Sequence, residues 1–434
     1  MTAGRGESLG LAAAIALVMG NMIGSGVFLL PASLAPYGWN AVGAWVLTIG
    51  GALVLALVLA RLTAARATGA GSGGGPVDFV RDAFGAVPAF LIGWTYLVSI
   101  WTAVVTIAVA AVSYLSSLVP GIAQLPLGPA LVAMALLWLF TLVNLRGVRS
   151  AGQVQLLTLA LKVVPLLVII VLAALALAGG KAALPPFDPA AITGSAMGSA
   201  ATLTLWALLG FECASVAAAR VRNPAINVPR ATLWGTALTG VLYLFVCSAV
   251  ALLLPPDVAS SSPAPFAAFV ERFWSAGPAA LVAVFAVISC LGALNGWTLM
   301  QGELARSMAA EGILPRWLAA TNGQGTPVRA LLASGVIASL FALLNASRSM
   351  QGLFEFLLLL STSASLWLYL AFALAALRLK VAPVWAGLGA VYALWTLWGA
   401  GISASGLSLV LMLAGLPLYW WAKREASADQ RVQP

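Results

Sequence analysis

The chain contains no histidine. That removes imidazole metal ligands, imidazole general bases and the Ser–His–Asp kind of nucleophilic site. Cysteine is scarce as well. Cys213, Cys247 and Cys290 all lie in apolar stretches without CxxC spacing, so neither a disulfide framework nor a thiolate metal site is expected. Charge is the third deficit: 8% of the residues are Asp, Glu, Lys or Arg, where a soluble domain carries roughly 25%. So few charges cannot cover a surface that faces water. With 62% hydrophobic residues and a mean hydropathy of +1.03, the main solvent is lipid. The net charge of +9 would suggest nucleic acid in a soluble protein. Here the basic residues sit between apolar runs, and no nucleic-acid partner is expected.

What the sequence has in abundance is long apolar runs. A helix that crosses a bilayer needs about 20 mostly apolar residues. Twelve segments qualify, at about 10–35, 41–61, 87–118, 127–145, 154–178, 194–219, 231–254, 278–302, 328–345, 353–377, 384–402 and 407–421. Turn residues separate them, among them Pro36-Tyr37-Gly38, Gly69–Gly75, Pro185-Pro186, Pro255-Pro256 and Gly323–Pro327. The run after Arg5 opens like a secretory leader. It continues past residue 30 without a small-residue cleavage pattern, and is taken as the first membrane helix. Seventeen of the 21 basic residues, from Arg5 to Arg431, fall on the side that both termini share. Lys181, Arg272 and Arg348 lie on the other side, and Lys162 lies within a span. This bias places both termini in the cytoplasm and favours an even number of spans. No loop is long enough for a soluble domain, so residues 1–434 form one transmembrane unit.

Two spans are interrupted. In the first, Asn21-Met22-Ile23-Gly24-Ser25-Gly26 breaks an apolar run. Unwound backbone at membrane depth is tolerated where it lines a cavity, and the free N–H groups of a half-helix suit a carboxylate. The alternative is a glycine face for packing a neighbouring helix. In the sixth, Trp206-Ala207-Leu208-Leu209-Gly210-Phe211-Glu212 places a glycine and a carboxylate in an apolar segment. Breaks at corresponding positions of two five-helix halves point to an inverted-repeat transporter with a midplane site.

The segments Asn21–Pro31, Leu205–Pro229 and Cys290–Thr298 resemble the amino acid–polyamine–organocation superfamily, and within it the antiporters of the arginine/agmatine type. The resemblance runs from about residue 9 to 421. It implies an all-α polytopic membrane protein of the leucine-transporter kind. Two inverted repeats of five helices, about 9–178 and 194–377, are followed by two more helices at about 384–421. It further implies a multi-pass protein of the bacterial inner membrane, acting on an amino acid or amine without a cofactor, and forming a homodimer. By this resemblance Ser25 and Gly26 hold the substrate's carboxylate and α-amino group, with backbone carbonyls from Met22 and Ile23. Trp206 caps and gates the substrate beside Gly210, Trp297 packs at the far end of the pocket, and Ser361 contacts the guanidinium. Tyr96 matches an aromatic residue of that pocket, and Glu212 a glutamate that responds to pH. Counting back from Tyr114, Val104 takes the place of an asparagine that helps hold the guanidinium. Lys162 departs from the arginine/agmatine type and resembles the proton-coupled and heteromeric branches, where an ammonium fills the site of a sodium ion.

Lys162 and Glu212 also stand on their own physics, because a charge in the bilayer is costly and marks a functional site by default. Lys162 either faces the bundle interior, as a fixed cation or a protonatable switch, or snorkels to the interface. Glu212 either serves transport or is satisfied by backbone donors at the break. Glu303 and Glu355, near the ends of spans eight and ten, are expected to face interfacial water. Trp420, Trp421 and Tyr419 are expected in the interfacial belt. The glycine-rich Gly69–Gly75 lacks the GK[ST] of a phosphate loop, and Asn345-Ala346-Ser347 matches a glycosylation sequon. No paired carboxylates, metal ligands or nucleophile–base pair suggest an enzyme. The expected function is sodium-independent exchange of basic amino acids and amines. Proton-coupled uptake of neutral amino acids, and a non-transporting amino-acid sensor of the same fold, stand beside it.

Overall fold

A computed structural model describes residues 10–67, 76–124, 127–146, 151–212, 221–323, 325–344 and 348–430. Arg5, Gly69–Gly75, Arg149, Cys213, Arg220, Asn345–Ser347 and Arg431 lie outside the described residues. The helices are α1 (Leu11–Met22), α2 (Gly26–Leu34), α3 (Trp39–Ala67), α4 (Pro76–Phe84), α5 (Ala86–Leu118), α6 (Gly121–Gln124), α7 (Gly128–Leu145), α8 (Ala151–Ala178) and α9 (Gly194–Leu208). They continue with α10 (Pro224–Leu253), α11 (Pro256–Ser261), α12 (Pro265–Phe273), α13 (Ala276–Ala310), α14 (Val328–Leu344), α15 (Met350–Arg378), α16 (Pro383–Gly399), α17 (Gly401–Leu413) and α18 (Leu416–Gln430). Proline opens α10, α11, α12 and α16, where its missing N–H costs nothing and its fixed φ suits the first turn.

Among the described residues, eight helical spans are long and apolar enough to cross a membrane, and α1 with α2 makes a ninth bent by 48°. The remaining apolar segments are covered by α9, α14 and α16, of 15, 17 and 17 residues. The α5 helix is buried along its central stretch, between α13 and α15. Around this axis α1 packs on α10, and α3 packs on α9 and α10.

Small residues set the closest crossings, as expected where lipid gives no hydrophobic drive between helices. A Cβ on Gly399 of α16 would stand 2.3 Å from the Gly198 carbonyl oxygen of α9. Beside it the Thr202 hydroxyl donates to the Thr396 carbonyl at 2.9 Å. Gly51 of α3 lies under the Tyr392 ring, 2.4 Å from where a Cβ would be. The Thr48 and Thr204 hydroxyls meet at 2.8 Å. Helices α3, α9 and α16 are thus locked together.

At the end of the bundle where α3 stops and α5 starts, the amphipathic α4 carries ion pairs. Arg66 meets Asp82 at 2.9 Å, and Arg81 meets Glu311 at 2.5 Å. Glu303 pairs with Arg306 at 2.9 Å. Trp420 and Trp421 are exposed. Tyr419 corrects the belt expectation: it is buried against Phe90 with ring centres 5.0 Å apart.

Candidate functional site

The first break begins where Ile23 leaves helical geometry at ψ 88°. Carbonyls freed there are taken by side chains from other helices. Tyr243 of α10 donates to the Met22 oxygen at 2.9 Å, and Lys162 of α8 to the Gly20 oxygen at 2.9 Å. One turn further, Tyr114 of α5 donates to the Phe28 oxygen at 2.8 Å. The break is therefore fixed from three sides. Its last glycine serves close approach, because a Cβ on Gly26 would stand 2.9 Å from the Trp206 ring. The indole rests on the start of α2, whose first N–H groups have no partner within the helix.

The second break follows Leu208. Leu209 is extended, and Gly210 adopts φ +107°, a conformation that favours glycine. The chain turns back so that the Gly210 N–H donates to the Glu212 carboxylate at 3.2 Å. Tyr96 of α5 donates to the same carboxylate at 2.6 Å, and Tyr369 of α15 at 3.2 Å. Phe211 stacks on Tyr369 with ring centres 5.1 Å apart. Glu212 is 1% exposed, and among the described residues no basic side chain pairs with it. A buried carboxylate is tolerated when several donors satisfy it. Here the Tyr96 and Tyr369 phenols share that work with the backbone of the break, so the backbone-only alternative is corrected.

Between the breaks lies a small cavity of about 30 Å³. The first break lines it with Asn21, Met22, Gly24, Ser25 and Gly26, and the second with Trp206, Ala207, Leu209 and Glu212. One face of α5 contributes Tyr96, Ser99, Ile100, Ala103 and Ile107. Ala293 and Trp297 come from α13, and Ser361 and Ser365 from α15. The buried Ser25 hydroxyl has no hydrogen-bond partner, and that of Ser361 donates to the Ser99 carbonyl at 2.9 Å. Trp206 packs edge-on against Phe354 at 5.9 Å. Along α15, Phe354 and Tyr369 thus bracket the cavity, roughly 22 Å apart at 1.5 Å per residue. Among the described residues Glu212 is the one charged side chain in the lining.

Of the residues expected from sequence, Met22, Ser25, Gly26, Tyr96, Trp206, Glu212, Trp297 and Ser361 surround this cavity. Gly210 stands behind the lining, next to Asn21 and Trp297. Ile23 is fully buried outside it. Val104 needs correction: it is fully buried and is not among the residues that line the cavity, and the face of α5 that does so runs through Ile100, Ala103 and Ile107. Lys162 belongs elsewhere too. It is 3% exposed, bonded to Gly20 and packed near Gly292 behind α1, which rules out snorkelling. Tyr369, Ser99 and Ser365 were missed, although Ser361, Ser365 and Tyr369 recur every four residues, the spacing of one helical face.

Residues 9–428 match the family model described as amino acid permease. The chain is 32% identical to the cadaverine/lysine antiporter of Escherichia coli (strain K12), over 76% of this chain and 73% of that protein. It is 29% identical to the putrescine transporter PotE of the same strain, over 96% of this chain and 97% of that one. The same figures hold for PotE of Haemophilus influenzae.

Proposed function

The chain belongs to the amino acid permease family, and from that premise we propose that it exchanges a basic amino acid for a basic amine across the bacterial inner membrane by alternating access. Twelve spans, arranged as two inverted five-helix repeats plus two helices, carry the exchange, with both termini in the cytoplasm. The observation that carries this proposal is the cavity between the two breaks, whose lining among the described residues holds one carboxylate, two indoles and no cationic side chain. A substrate ammonium gains there from the charge of Glu212. It also gains from aromatic faces, worth about 0.5–2 kcal/mol each for a cation. The unpartnered Ser25 hydroxyl and the N-terminal N–H groups of α2 hold the carboxylate of an amino acid.

The two closures follow from the same contacts. Trp206, resting on Gly26 and against Phe354, closes one end. Glu212, bound by Tyr96 and Tyr369, closes the other by joining the second break to α5 and α15. Ile100, Ala103 and Ile107 form an apolar wall suited to a methylene chain. Lysine with cadaverine, ornithine with putrescine and arginine with agmatine are the candidate pairs, and the names of the relatives favour aliphatic diamines. Lys162, anchored at Gly20, supplies a fixed cation that makes exchange independent of sodium.

The test is uptake of labelled lysine, ornithine and arginine into sodium-free proteoliposomes preloaded with each candidate amine, with neutral amino acids, or with buffer. Uptake that needs an internal basic amino acid or amine supports exchange. One observation favours a second assignment: the apolar wall of α5 also suits a neutral side chain. Entry of alanine or leucine driven by an acid-outside gradient, with no cation flux, would establish that assignment instead. Binding without any flux would establish a sensor.

A further inference from the structure

Beyond the Trp206 closure lies a second group of polar side chains that the cavity does not use. Three helices bring it together. Ser33 lies eight residues beyond Ser25 on α2, Ser199 seven residues before Trp206 on α9, and Glu355 six residues before Ser361 on α15. At 1.5 Å per residue each is displaced by roughly 9–12 Å from its cavity counterpart. All three displacements run to the same end, since Phe354, next to Glu355, is the residue that packs on Trp206. Gln351 joins the group by donating to the Ser33 hydroxyl and to the Glu355 carboxylate, both at 2.8 Å. The Tyr37 side chain lies beside Ser199 and Glu355. Glu355, Gln351, Tyr37 and Ser199 are half-buried, so solvent reaches them at the mouth.

Among the described residues Glu355 forms no ion pair. Arg348, close in sequence, places its guanidinium over the Phe356 ring at 4.2 Å. A carboxylate set in a low-dielectric mouth concentrates cations there, and a phenol beside it offers an aromatic face. We propose that Glu355, with Gln351 and Tyr37, forms a waiting subsite for the ammonium of a cationic amino acid or diamine, one step outside the cavity; the subsite rests on the cationic substrate class proposed above. An ammonium that replaces Gln351 on Glu355 also loosens the Gln351–Ser33 bond. That bond ties α15 to α2.

The test compares right-side-out with everted membrane vesicles, using labelled lysine and cadaverine at low salt. For Glu355→Gln the KM rises about threefold to tenfold from the face where α15 begins, as expected when a steering charge is lost. The kcat stays within about twofold, because the variant leaves the cavity intact. From the opposite face KM is unchanged, Glu355→Asp restores the wild-type value, and raising salt to about 0.3 M erases the difference by screening. An equal shift from both faces, or none from either, overturns the subsite while wild-type cation exchange leaves the transport function standing. Wild-type vesicles that carry neither cation overturn both.

Discussion

Glu212 is held by two phenols and one peptide N–H, and this arrangement makes its charge and its geometry separable. Glu212→Gln keeps the shape but turns an amide donor toward hydroxyls that now donate. Exchange is expected to fall about tenfold or more, with Tyr96→Phe a milder loss, since an unsatisfied buried partner costs about 1–3 kcal/mol. Initial rates of lysine–diamine exchange across a pH series are the measurement. Equal rates and an unchanged pH profile would remove Glu212 from the mechanism. Lys162 poses the corresponding question behind the first break. Lys162→Ala leaves the Gly20 carbonyl without its donor and removes the internal cation. Exchange is expected to drop about tenfold, on the same scale of lost buried bonds, and its pH dependence to change. A variant that matches wild type in both would make the lysine a packing residue.

At the scale of elements, the breaks were legible because glycine and polar residues interrupt otherwise apolar runs, as Asn21–Gly26 and Gly210–Glu212 do. The face of α5 was not. That helix is buried all round over its central stretch, so no polar stripe marks which side meets the cavity. Counting from Tyr114 therefore landed on Val104, while Ala103 and Ile107 face inward. Tyr369 was hidden for another reason: its bond to Glu212 spans 157 residues, and nothing local signals it. The locking of α9 to α16 was equally invisible, since Gly198 and Gly399 read as ordinary small residues. It carries an expectation of its own. Gly399→Ala places a methyl against the Gly198 peptide, which must push the helices apart at a cost of about 1–3 kcal/mol. A lowered melting temperature in detergent checks it, and an unchanged one would mean that α16 is free to shift.

For the whole molecule, the sequence carried the membrane character and the family more fully than the site, because charge deficit and apolar length are properties of every segment. The uneven distribution of basic residues makes a topological expectation. Cys247 and Cys290 are buried, so in a Cys213→Ser background a cysteine introduced at Lys181 is expected to react with an impermeant maleimide in intact cells, and one at Lys423 only after permeabilisation. The reverse pattern would invert the molecule in the bilayer. The contact between Gly26 and Trp206 has a consequence of a different kind. The two residues lie 180 positions apart in the sequence, and each occupies space that the other must leave free. A lineage that gains a side chain at 26 must first lose bulk at 206, and one that keeps the indole cannot change the glycine. The two positions are bound to drift as a pair, and a specificity that depends on this lid passes to descendants as a unit or is lost as one.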